Sequence, residues 1–202
     1  LGPSNRELQR SDVEFMAIGQ GPVAWTPLQA VTAYARLVSG NMAHEPRLIV
    51  MPEQEHEPRA SMPVPLSPAA QRMAIEGMRR VSNETGGTAY QLELALVGLP
   101  RERIFNVEGV TIMAKSGTAD PGSRWIDLNN NHQQDPGEVV RDPRDHAWVV
   151  ALVQPDGAAR PTHAIAVVVE YAGSGGHVSG PIVNQIVHAL KHHQYLAWPP
   201  IR

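Results

Sequence analysis

Lys115-Ser116-Gly117-Thr118-Ala119 is the stretch of this sequence whose residue types and order point most directly to chemistry. On a strand, side chains alternate faces, so Ser116 and Thr118 share one face and Lys115 takes the other. Two hydroxyls on one face can hydrogen-bond a carboxylate while the lysine supplies positive charge beside them. Gly117 adds no side chain, which lets a ligand lie close along the backbone. A strand edge can also offer an N–H to a developing oxyanion. The expectation is a cradle for an acyl substrate ending in a carboxylate. The same four residues also fit an ordinary turn, so their surroundings must decide.

Two other groupings carry possible chemistry. Asp127, Asn129, Asn131, Asp135 and Glu138 fall at positions 1, 3, 5, 9 and 12 of an EF-hand-like loop, and all are oxygen ligands of the kind calcium takes. Against calcium, position 6 is His132 where the sharp turn wants glycine, and no helices are expected on either side. The alternative is a solvated Asn/Gln-rich loop with no cofactor anywhere in the chain. His188 and His192 stand one helical turn apart, with His193 following, but a third zinc ligand is not evident. A solvated helix end, where cationic groups are favoured, is the simpler reading. Arg79-Arg80 and Glu53–Glu57 read as exposed charge.

These groups need a scaffold. At 202 residues, with 42% hydrophobic and 18% charged residues, the chain can bury a core of ordinary domain size. A net charge of −3 gives no electrostatic reason to expect nucleic acid as a partner. The absence of cysteine excludes disulfides and thiolate metal sites. No apolar run approaches the ~20 residues that span a bilayer. The chain begins at Leu1 without a signal-like segment, and is expected to be a piece of a longer protein whose membrane anchor lies elsewhere.

Thr26-Pro27-Leu28-Gln29 predicts a capping-box helix start, with Leu28, Val31, Ala35 and Val38 at helical spacing and Gly40 as the stop. A second helix is expected from Ser67-Pro68, with Met73, Ala74, Gly77, Met78 and Val81 on its apolar face. Met51–Pro68 reads as irregular, Asn83–Thr88 as a loop and Ala89–Val97 as a short helix. Val110–Ala114 predicts a strand running into the lysine motif. Ala147–Val153 and Ala164–Tyr171 predict adjacent antiparallel strands, buried on both faces, around a turn at Pro155–Gly157. Pro181 is expected to open a last helix, with Ile182, Ile186, Val187 and Leu190 inward. This order predicts an α/β (α+β) domain, an antiparallel sheet packed with helices, with residues 120–146 as a polar insertion loop.

Several segments in this order resemble those of class B penicillin-binding proteins, most closely the elongation-type penicillin-binding protein 2. They are Ala17-Ile18-Gly19-Gln20-Gly21 followed by Trp25-Thr26-Pro27-Leu28-Gln29, then Asn83–Tyr90 ending Gly87-Thr88-Ala89-Tyr90, then the lysine motif. Asp145-His146-Ala147-Trp148 and Val169-Glu170-Tyr171 before Gly173–Gly176 complete the series, which runs from about Met16 to Leu190. The resemblance implies the C-terminal part of a serine β-lactamase-like transpeptidase domain spanning 1–202, at the bacterial cell envelope on the periplasmic face. It implies D,D-transpeptidation of peptidoglycan stem peptides, inhibited by β-lactams, beside cell-wall elongation proteins as partners. Carried over, Lys115 would supply charge, Ser116 and Thr118 would bind the carboxylate, Gly117 would keep the strand accessible, and the Thr118 N–H would form half of an oxyanion hole. Gly19, Gln20 and Gly21 would be structural supports.

The sequence departs from that family in one decisive respect. No serine is followed three places later by lysine, so the nucleophile and its activating lysine are absent. Ser39-Gly40-Asn41 matches Ser-x-Asn in type but sits at an expected helix end, and is read as coincidence. The chain alone is therefore expected to be inert and to need its missing N-terminal half. The competing expectations are a penicillin-binding sensor that has lost turnover, and a calcium-stabilised extracellular interaction module.

Overall fold

The computed structural model describes residues 9–17, 24–39, 42–44, 46, 61–63, 65–92, 102–121, 123–141 and 144–199. At its centre is a three-stranded antiparallel sheet in the order β3 (Val110–Ala119), β6 (His146–Pro155), β7 (His163–Val169). The lysine motif is the last part of β3, where Lys115, Ser116, Gly117 and Thr118 pair with Val150, Val149, Trp148 and Ala147. The mixed helix and antiparallel-sheet architecture agrees with the expected fold class.

The two faces of the sheet carry separate cores. Ile112 and Ala114 of β3 and Val149, Ala151 and Val153 of β6 meet Val183 and Val187 of α4 (Gly175–His192) on one face. Met113 and Leu152 meet Met78 of α3 (Pro68–Asn83) and Tyr34 and Leu37, in and just after α2 (Pro27–Arg36), on the other. This is period-two alternation read out as packing: adjacent residues of β3 and β6 serve opposite layers. β6 is buried on both faces as expected, whereas β7 is only half-buried along its length.

Both predicted caps are present. The Thr26 hydroxyl accepts from the Gln29 N–H at 3.2 Å while Gln29 Oε1 accepts from the Thr26 N–H at 2.9 Å. Ser67 caps α3 by accepting from the Ala70 N–H at 3.1 Å. The buried face of α3 agrees with the expected one at Met78, which is buried, and at Val81, which packs against the core, but Met73 is 75% exposed and Ser82 is buried. Ser82 escaped the apolar pattern because its partner is a strand backbone and not a side chain.

Four further differences stand out. A helix not anticipated, α1 (Arg10–Ala17), opens with the Asp12 carboxylate accepting the Gln9 N–H at 2.8 Å. Ser61–Pro63, expected to be irregular, forms strand β2 against β1 (Met42–His44). Where a helix was predicted from Ala89, residues 88–90 turn and Gln91 forms an isolated bridge with Arg103. Finally, α4 starts six residues before Pro181, and the inward residue is Val183 while Ile182 is 40% exposed. The helix start was hidden because its first turns are made of poor helix formers that close packing requires. A Cβ on Gly175 would collide with the Gly117 carbonyl oxygen and one on Gly176 with that of Thr88, and one on Gly180 would lie 2.8 Å from Ile104 Cγ2. Gly19, Gln20, Gly21, Gly40, Asn41 and Glu53–Glu57 lie outside the described residues.

Backbone obstacles move less readily than side-chain ends, so Gly176→Ala should destabilise the full-length protein by about 1–3 kcal/mol. Thermal unfolding checks this; an unchanged melting temperature would show that α4 does not need its close approach to Thr88.

Candidate active site

The edge of β3 away from β6 is the structural basis of the site. In an antiparallel strand each residue directs its N–H and C=O to the same side, and successive residues alternate. Along that edge, the Ile112 carbonyl accepts from Ser82 Oγ at 2.7 Å and from Asn83 Nδ2 at 2.9 Å, and the Ala114 N–H donates to Ser82 Oγ at 3.2 Å. Ser82 is fully buried in doing so. The side chains at the end of α3 thus cover the edge as far as Ala114. The alternation aims the backbone groups of Ser116 and Thr118 the same way, beyond the reach of α3.

Ser116 and Thr118 share the face of β3 occupied further back by Ile112 and Ala114. Thr118 is exposed and Ser116 partly so. The Ser116 hydroxyl lies 2.6 Å from Thr88 Oγ1. Lys115 is exposed, and its ammonium donates to the Ser116 carbonyl oxygen, which brings the positive charge from the opposite face to this edge. Gly117 has room on one side only as far as Trp148 Cβ, 3.2 Å from an added Cβ, and its carbonyl abuts Gly175. The N-terminus of α4 therefore ends against the lysine motif, adding its partial positive charge to that of Lys115. The arrangement suits an anionic group: two hydroxyls, an ammonium and a helix N-terminus converge on one strand end.

Supports not foreseen from the residue pattern hold this end in place. The turn after β7 is tied to the start of β6, with the Asp145 carbonyl accepting from the Ala172 and Gly173 N–H groups at 2.9 and 2.8 Å. His146 Nδ1 accepts the Tyr171 N–H at 3.1 Å, and the two rings meet edge-on with centroids 4.7 Å apart. That turn delivers Gly175 to Gly117. A shallow cavity of about 280 Å³ lies at the other end of β3, lined by Asn83, Arg103 and Asp156 among others, away from the motif.

The 127–138 loop spans β4 (Ser123–Trp125) and β5 (Val139–Arg141), so the insertion contains a two-stranded hairpin. His132 makes the turn that glycine was expected to make, with φ of 59°, and Asn130 has φ of 58°. The loop closes on itself. Asp127 accepts the N–H groups of Asn131 and His132 at 3.1 and 2.9 Å, and Asn129 and Asn131 donate their amides to Asp135 Oδ2 at 2.8 and 2.7 Å. Buried Glu138 accepts the Leu128 and Asp135 N–H groups at 3.0 and 2.9 Å and the Trp125 indole at 3.0 Å. Among the described residues no group of three or more His, Cys, Asp or Glu is arranged to hold a metal ion. His188 is engaged with Asn106 Oδ1 at 2.9 Å, while His192 and His193 meet each other.

Hydrogen bonds from the Asp135 N–H first, then from the Trp125 indole, hold the Glu138 carboxyl below its ordinary value of 4.5. The loop should therefore keep its full stability above pH ~4.5 and lose it as pH falls through the lower folded-state value. Glu138→Gln should lower hydrogen-exchange protection of the Leu128 and Asp135 amides about ten-fold at neutral pH. Unchanged protection would mean that the carboxylate does not hold the loop.

A family model described as penicillin binding protein transpeptidase domain matches residues 2–188. The peptidoglycan D,D-transpeptidase MrdA of Salmonella typhimurium is 28% identical over 191 residues, 90% of this chain and 27% of that protein. The peptidoglycan D,D-transpeptidase PbpA of Mycolicibacterium smegmatis is 29% identical over 174 residues, 82% of this chain and 29% of that protein. The chain thus spans little more than a quarter of the length of the curated relatives it matches. Among solved structures, one on the coordination of polymerization and crosslinking by a peptidoglycan synthase complex aligns with a TM-score of 0.57 at 24% identity, covering 90% of this chain and 26% of the other. PBPA from Mycobacterium tuberculosis aligns with a TM-score of 0.54 at 24% identity, covering 87% and 34%. These two establish likeness of fold.

Proposed function

We propose, since this chain belongs to the penicillin-binding protein transpeptidase domain family, that it is the C-terminal part of such a domain and forms the carboxylate-binding wall of its cleft. The observation that carries the proposal is the end of β3, where Lys115, Ser116 and Thr118 meet Thr88 and the start of α4 on an edge that α3 leaves uncovered.

The reaction is D,D-transpeptidation of peptidoglycan stem peptides. A serine outside this chain attacks the penultimate D-Ala carbonyl, the terminal D-Ala leaves with a proton, and an amine of a neighbouring strand displaces the serine. The covalent intermediate divides one difficult amide exchange into two easier steps. In this scheme Ser116 and Thr118 bind the terminal carboxylate, Lys115 supplies charge, Gly117 lets the substrate lie along the strand, and the Thr118 N–H stabilises the oxyanion. β-Lactams imitate the D-Ala-D-Ala end and acylate the same serine. The serine chemistry calls for no cofactor, and the 127–138 loop with its five oxygen-bearing residues is read as a self-closed surface loop and not as a calcium site. The parent protein acts on the periplasmic side of the cell envelope with cell-wall elongation proteins as partners. No helix among the described residues is long and apolar enough to cross a membrane.

In the full-length protein, Lys115→Ala should slow acylation by labelled penicillin about 10²–10³-fold, and the isolated 202-residue chain should form no adduct. Labelling of the isolated chain, or acylation of the lysine variant at the unmodified rate, would overturn the assignment. Release of D-alanine from a stem peptide separates an enzyme from a sensor that is only acylated. Calorimetry with millimolar calcium should give no heat of binding; a saturable signal abolished by Asp127→Ala would instead make the loop a calcium site.

A further inference from the structure

Thr88 stands 28 residues before Ser116 in sequence, yet their hydroxyl oxygens lie 2.6 Å apart. Each hydroxyl has one proton to donate and two lone pairs to accept with. If Ser116 is to donate to a carboxylate, its proton must point to the ligand, and Thr88 must then be the donor within the pair. A hydroxyl that already accepts a hydrogen bond is polarised towards donating its own proton. Lys115 does not supply this bond, since its ammonium goes to the Ser116 carbonyl.

Thr88 is held firmly enough to impose that direction. It sits in the turn after α3, where the Ala89 N–H donates to the Val81 carbonyl at 3.1 Å and the Tyr90 N–H to that of Gly87 at 3.0 Å. The turn is fastened on its other sides by the Arg103 guanidinium, 5.3 Å from the centre of the Tyr90 ring, and by Gly176, which packs against the Thr88 carbonyl. A hydroxyl on a turn clamped between two helices loses little freedom in making its bond. Gly87 allows the closeness, because a Cβ there would collide with the Val81 carbonyl.

We propose that Thr88 is a positioning residue of the carboxylate-binding wall, whose hydroxyl orients that of Ser116 towards the ligand. The proposal rests on the reading of Ser116 as a carboxylate donor. It assigns a role to the hydroxyl of the Gly87-Thr88-Ala89 turn, whose backbone receives Gly176 and whose Ala89 is buried in the core.

The test is the acylation of the full-length protein by a fluorescent penicillin, with the half-saturating concentration resolved from the maximal acylation rate. Thr88→Val, which keeps shape and removes the hydroxyl, should raise the half-saturating concentration about 5- to 10-fold, the worth of one hydrogen bond. Thr88→Ser should recover to within about two-fold of the unmodified protein, since the hydroxyl returns. On a Ser116→Ala background, Thr88→Val should change the constant less than about two-fold, because Thr88 acts through Ser116. A Thr88→Val protein as readily acylated as the unmodified one overturns the proposal, as does an effect that persists in full without the Ser116 hydroxyl. Unchanged acylation of Ser116→Ala alone would refute the carboxylate-wall reading itself and take the positioning role with it.

Discussion

The close approach of the first turns of α4 to backbone atoms is the constraint on which the rest of this structure depends. Gly175 lies against the Gly117 carbonyl of the central sheet and Gly176 against the Thr88 carbonyl of the turn after α3. No side chain fits at either place. One helix end therefore fixes a strand and a turn that are far apart in sequence, and both carry hydroxyls that meet. Further along, α4 buries Val183 and Val187 in the core against β6, so ordinary apolar packing holds the glycine contact in register. The tie between Asp145, His146 and the turn at Tyr171–Gly173 sets where that helix begins.

The second constraint is the division of one strand edge between two uses. Unsatisfied backbone groups on an edge are costly when buried and available for binding when open. Ser82 and Asn83 satisfy the edge at Ile112 and Ala114, and α3 then ends. The next outward-facing residues are Ser116 and Thr118. A carboxylate-bearing ligand laid along this stretch would meet the side chains of Ser116 and Thr118 and the Lys115 ammonium. That preorganisation is the physical content of the proposed function.

Much of this was legible in the residues. The capping box at Thr26, the Ser67 start, the two long strands and the turn between them follow from local chemistry, and local chemistry is what a single sequence records best. The lysine motif was legible as a strand end with two hydroxyls on one face. The start of α4 was not, because Gly175, Gly176, Ser179 and Gly180 were selected by tertiary contact and contradict helix propensity. The contacts of Ser82 and Thr88 are hidden for a related reason, although Thr88 stands in the Gly87–Tyr90 segment that carries the family resemblance: a polar side chain that serves a distant strand leaves no periodic trace. In the 127–138 loop, His132 takes the left-handed turn that the pattern assigns to glycine.

A crystal structure of the full-length protein acylated by a penicillin would show directly whether the end of β3 holds the ligand's carboxylate. The drug's carboxylate should lie within hydrogen-bond distance of the Ser116 and Thr118 hydroxyls, and the acyl oxygen about 2.7–3.1 Å from the Thr118 N–H. An acylated protein whose drug lies elsewhere, with the end of β3 untouched, would contradict this placement.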